Sequence, residues 1–103
     1  MWTLDEALVL VRELQPQLTQ FEYHVALGGG VLNKGKSDND LDLYFISFDF
    51  QLPENYERLI DFLKNKFGDL QSLVDKKYDN SFFKAKLSNK NYHSMKRIDF
   101  FIQ

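Results

Sequence analysis

The chain contains no cysteine, which removes disulfides, thiolate nucleophiles and cysteine zinc sites, and fits a reducing compartment. Its two histidines, His24 and His93, are too few for a histidine-rich metal site. No apolar run approaches the ~18 residues that a membrane span needs. The opening Met1-Trp2-Thr3-Leu4-Asp5-Glu6 lacks the basic start of a signal peptide. A soluble, cytoplasmic protein is therefore expected. Internal repeats, linkers and low-complexity segments are also missing. A net charge of −2 argues against a general nucleic-acid coat.

What is present suits one folded domain. The 103 residues are 44% hydrophobic and 16% aromatic, enough for a core without covalent staples. The charge is segregated. Lys76, Lys77, Lys84, Lys86, Lys90, Lys96 and Arg97 face only Asp79 between residues 76 and 97, whereas the chain before residue 76 is net acidic. That basic stretch reads either as a solvated hairpin or as a surface turned towards phosphates.

Helical and extended patterns alternate along the chain. Thr3-Leu4-Asp5-Glu6 has the form of a capping box, and Leu4, Leu8, Val11, Leu14 and Leu18 then recur at helical spacing. This predicts a helix over 3–19, kinked or ended near Gln15 because Pro16 lacks an amide donor. Residues 21–27 read as a strand running into Gly28-Gly29-Gly30. Residues 31–33 fit a helical turn and 34–39 a loop. After a strand over 40–48, Leu52-Pro53 opens a helix with the stripe Tyr56, Leu59, Ile60, Leu63 and Phe67, stopped by Gly68. Strands are expected over 70–78, 81–87 and 95–102, with a polar turn over 88–94.

Two stretches carry the chemistry. In Asp40-Leu41-Asp42-Leu43-Tyr44-Phe45, the apolar Leu41, Leu43 and Phe45 point one way and Asp40, Asp42 and Tyr44 the other. Aspartate is disfavoured in strands, and two on one face repel each other unless a cation lies between them. In the last strand Ile98, Phe100 and Ile102 share a face, which leaves Arg97, Asp99 and Phe101 on the other. If all apolar faces lie under the helices, Asp40, Asp42 and Asp99 emerge together, with Lys84 and Lys86 on the adjoining strand. Asp49 has the wrong parity for this group, Asp61 lies within a helix, and Asp75 and Asp79 lack flanking hydrophobics. Hard carboxylate ligands suit Mg²⁺ or Mn²⁺, and the glycine turn can present bare amides to an anion. The constellation fits metal-assisted transfer of a phosphate-bearing group. Sharing one ion requires Asp99 to lie within about 8 Å of Asp42; a purely structural sheet does not.

The order Leu27-Gly28-Gly29, ten residues, Asp40-Leu41-Asp42-Leu43 and later Ile98-Asp99-Phe100 resembles the DNA polymerase beta-like nucleotidyltransferase superfamily. The turn Gly28-Gly29-Gly30-Val31 is also similar to that of CCA-adding enzymes, although Leu32 and Asn33 replace the arginine and aspartate found there. The resemblance covers nearly the whole chain. It implies an α+β fold of two layers, a mixed sheet with helices on one face and an open catalytic face. It implies that Gly28, Gly29 and Gly30 cradle phosphates and that Lys36 or Ser37 touches the triphosphate. It further implies that Asp40 and Asp42 bridge metal ions and that Asp99 holds the ion that activates the acceptor hydroxyl. Family members more often carry serine where Gly29 stands. The expected activity is Mg²⁺-dependent transfer of NMP from a nucleoside triphosphate to a hydroxyl of a protein, an RNA or a small molecule. A protein partner or a second copy would supply acceptor recognition, as for minimal members that act as antitoxins. The alternative is a binding module of the same fold that does not turn over.

Overall fold

The structure is a computed structural model and describes residues 2–37, 40–49, 51–78, 82–89 and 97–103; the side chains of 31–33, 36–37, 73–78 and 82–83 lie outside that description. Its elements are strand β1 (Trp2–Thr3), helix α1 (Leu4–Thr19), strand β2 (Tyr23–Gly28), helix α2 (Gly29–Lys34) and strand β3 (Lys36–Ser37). There follow β4 (Leu41–Ser47), α3 (Pro53–Phe67), β5 (Gln71–Tyr78), β6 (Phe82–Ser88) and β7 (Ile98–Ile102). The fold is α+β: a five-stranded sheet in the order β2-β4-β7-β6-β5 with α1 and α3 packed on it. Only β4 and β7 are parallel, so the sheet is mixed.

The alternation read from the sequence sets the layers. Leu41, Leu43, Phe45, Ile98 and Phe100 are fully buried in one cluster with Leu14 and Leu18 of α1 and Leu59 and Leu63 of α3. Phe67 tilts against Phe100 with ring centres 5.1 Å apart. Burying each such side chain contributes about 1.5–3 kcal/mol, so this face fixes which side of every strand is free. Ala7 is more deeply buried than expected of α1, and Leu8, assigned to the stripe, is only half-buried.

The start of α1 is as anticipated: Thr3 Oγ1 accepts from the Glu6 amide at 3.2 Å, and Glu6 Oε1 accepts from the Thr3 amide at 3.1 Å. The helix read over 3–19 is found as Leu4–Thr19 and runs on past Pro16 rather than ending near Gln15. Two interactions offset the lost backbone bond. Leu18 is fully buried beyond the proline. The Gln15 amide grips β2 by donating to Tyr23 O at 3.2 Å and accepting from Val25 N at 3.0 Å.

A second difference lies at the amino terminus. Residues 36–37, read as loop, pair antiparallel with Trp2–Thr3 as a small ribbon, and Leu4 N donates to Gly35 O at 2.9 Å. The ribbon ties the chain start to the segment that leads into β4. The helical turn expected over 31–33 is the longer α2, and the last strand begins at Ile98. Residues 90–96, including most of the expected polar turn, lie outside the described residues. Among the described residues no helix is long and apolar enough to cross a membrane.

Candidate metal centre

One row of residues crosses the face of the sheet opposite α1 and α3. Gly28 of β2 stands opposite Asp42 of β4, Asp42 opposite Asp99 of β7, and Asp99 opposite Ser88 of β6. Asp40 sits just before β4. Carboxylate oxygens of Asp40, Asp42 and Asp99 lie within 4.8 Å of one another. Three oxygens around one octahedral Mg²⁺ at about 2.1 Å lie about 3.0 Å apart when cis and about 4.2 Å when trans, so the carboxylates would draw together to share one ion. The donor set is hard oxygen only, as Mg²⁺ or Mn²⁺ prefers. The spacing is well inside the limit set for shared ligation.

The glycines make this packing possible. Gly29 has φ +66°, a left-handed value that costs other residues strain, and a Cβ there would collide with Asp42 Oδ2. Bare backbone at 29 therefore lets the Asp42 carboxylate lie against the start of α2. A Cβ on Gly28 would strike the Tyr44 ring, which stacks on Phe101 at 4.8 Å and 13°. Lys86 Nζ lies 5.1 Å from the centre of the Phe101 ring, completing a second row beside the acids.

Charge around the acids is unequal. Asp99 is almost buried, and Arg97 holds both of its oxygens: Nε donates to Oδ1 at 3.1 Å and Nη2 to Oδ2 at 3.3 Å. Burial pushes the Asp99 carboxyl up, but hydrogen bonds from Asp40, Arg97 and Ser88 and the Arg97 charge outweigh it and hold it below the ordinary value. Asp40 is pushed up, first by that hydrogen bond to Asp99, then by burial and the charges of Asp42 and Asp99. Asp42 is pushed up by burial and then by Asp99, against the pull of Lys86 and Arg97. Arg97 is raised in turn, chiefly by its bond to Asp99. The Arg97 guanidinium thus offsets part of the repulsion among the three acids.

Not every expected residue joins the group. Asp40, Asp42, Asp99, Gly28 and Gly29 do, and Lys86 acts on Asp42 through its charge. Lys84 lies four residues before Ser88, about 13 Å along the strand, beside Ile102 and Gln103 at the other end of the sheet. Gly30 is exposed within α2. Lys36 and Ser37 lie in the ribbon strand β3, and their side chains are outside the described residues. Asp49 and Asp61 are exposed and apart from the group.

Three contributors were not assigned to the site from sequence. Arg97 shares the face of Asp99, and its i, i+2 spacing was the available signal. Ser88 is fully buried opposite Asp99, although its composition placed it in a turn. Trp2 donates its indole N–H to Arg97 O at 2.9 Å, an oxygen that also accepts from Leu41 N at 3.1 Å. No local pattern could have shown that contact.

No protein-family model matches the chain, and no curated protein matches its sequence. The chemistry of the site is read from its own geometry.

Proposed function

We propose that the chain is a divalent-metal-dependent nucleotidyltransferase that moves NMP from a nucleoside triphosphate to a hydroxyl acceptor. The observation that carries this reading is the convergence of Asp40, Asp42 and Asp99 within 4.8 Å on the open face, with the Gly28–Gly29 backbone against Asp42. Asp40, Asp42 and Asp99 would hold the cation. A bound Mg²⁺ or Mn²⁺ supplies neutralisation of phosphate oxygens and a lowered pKa for the attacking hydroxyl. Ser88, buried opposite Asp99, adds to the lowering of its carboxyl after Asp40 and Arg97. Lys86, on β6 beyond Asp99 and across the row from the glycine turn, adds positive charge that acts on Asp42. The aromatic row of Tyr44 and Phe101 walls the site on the open face. Acceptor recognition would come from a protein partner or a second copy, and the cytoplasm would supply the nucleotide.

One feature favours the second reading, a binding module without turnover. Arg97 already neutralises Asp99, so the group is stable without an ion. The discriminating experiment incubates the protein with Mg²⁺, each α-labelled nucleoside triphosphate and a lysate of the source organism. Label transferred with pyrophosphate release, and lost in Asp42→Asn, is the expected result. Nucleotide retained without pyrophosphate release over all four nucleotides supports the binding module.

A further inference from the structure

The Arg97 guanidinium occupies one lone-pair position on each oxygen of Asp99. An ion that reaches Asp99 competes with that fork. Ser88 is fully buried and is tied into β6. The Arg97 side chain is 43% exposed, while its carbonyl is fastened to Trp2 and Leu41. Its backbone can therefore stay in place while the guanidinium swings.

We propose that Arg97 is a built-in counter-ion of the acidic group, which a divalent cation displaces from Asp99, leaving the guanidinium at the rim to bind the phosphates of the substrate. The proposal rests on the metal-dependent reading above. The planar fork that grips a carboxylate through two N–H groups fits phosphate oxygens equally well. Asp99 then changes one cation for another without standing as an uncompensated buried charge. The released guanidinium enters a site that the incoming ion and its phosphates have made less negative on one side and more negative on the other. It is thus a specificity element for an anionic ligand that arrives with its metal.

The proposal predicts effects of opposite sign from one substitution. Mn²⁺ binding is followed by electron paramagnetic resonance in wild type, Arg97→Gln, Arg97→Lys and Asp42→Asn, each first checked for native circular dichroism. Arg97→Gln should bind Mn²⁺ roughly threefold to tenfold more tightly, the range expected when one partly exposed ion pair is no longer broken. The same variant should bind inorganic triphosphate, in the presence of saturating Mn²⁺, more weakly than wild type by a similar factor. Arg97→Lys keeps the charge but cannot fork across both oxygens, so Mn²⁺ should still tighten, by roughly twofold to threefold. Unchanged or weaker Mn²⁺ binding in folded Arg97→Gln or Arg97→Lys overturns the displacement. Unchanged triphosphate binding overturns the second role. If wild type and Asp42→Asn alike fail to bind Mn²⁺, the metal-dependent reading itself falls, and that result is separate from the other two.

Discussion

Asp42 sits between Gly29, whose left-handed backbone and close approach disfavour a side chain, and the buried Asp99 on the next strand. Its carboxyl is pushed up by burial and by Asp99, and Asp40 is pushed up for related reasons. Between the ordinary carboxyl value near 3.8 and these raised values, the folded chain binds more protons than the unfolded chain. The stabilising contribution of both groups is therefore complete below the ordinary value and is lost as pH rises through the raised ones. Asp99 acts oppositely: its lowered value makes a contribution that is present above the ordinary range and lost as pH falls. Asp42→Asn removes one repelling charge without removing the side chain. In chelator, at pH 7, it should raise Tm by about 2–4 °C, the shift that roughly 0.5 kcal/mol gives a domain of this size. The gain should shrink as pH is lowered towards 4, because wild-type Asp42 then becomes neutral too. Thermal melts across that range check the sign.

The candidate acids were legible at this scale because strand parity is a local property. Leu41, Asp42 and Leu43 state which way each residue faces whatever the strand pairs with. The partners of Asp99 were less legible. Ser88 looks like a turn residue by composition, and only its register against Asp99 gives it a part in the site. The two glycines were read as a phosphate cradle. The structure adds a reason internal to the chain: they leave room for the Tyr44 ring and the Asp42 carboxylate.

Elements separate by the strength of their periodic signal. α3 and most of α1 followed from apolar stripes and, for α1, a capping box that forms as written. The ribbon of β1 and β3 has two residues in each strand, too few for any period to show. At Pro16 the proline rule left a kink or an end open, and burial of Leu18 with the Gln15 bonds to β2 accompanies a helix that continues to Thr19. The missing amide remains a local weakness. Pro16→Ala restores a helical donor at an exposed position and should stabilise the domain by about 1–3 kcal/mol. Urea unfolding would read this as a higher midpoint at unchanged slope.

At the scale of the whole molecule, the two layers turn a linear pattern into a site. The helices occupy one face, so every strand must put its polar residues on the other. The parallel pairing of β4 with β7 then brings Asp42 beside Asp99. That pairing joins distant parts of the chain, and no local signal in either strand specifies it. Parity alone could say that the acids share a face but not that they share a row. The outcome is a face with Gly28, Asp42, Asp99 and Ser88 across it and Arg97 leaning in from the start of β7.

A ligand that binds only the folded state stabilises it by mass action, by about 2.7 kcal/mol at a hundredfold excess over Kd. The most direct test of the site is therefore the melting temperature of wild type and of the Asp40→Asn/Asp42→Asn double variant, with Mg²⁺ and each of the four nucleoside triphosphates in turn. Wild type should rise by several degrees with at least one nucleotide, only when Mg²⁺ is present, and the double variant should not respond. A wild type indifferent to all four, or a double variant that responds equally, would contradict the metal-centred reading.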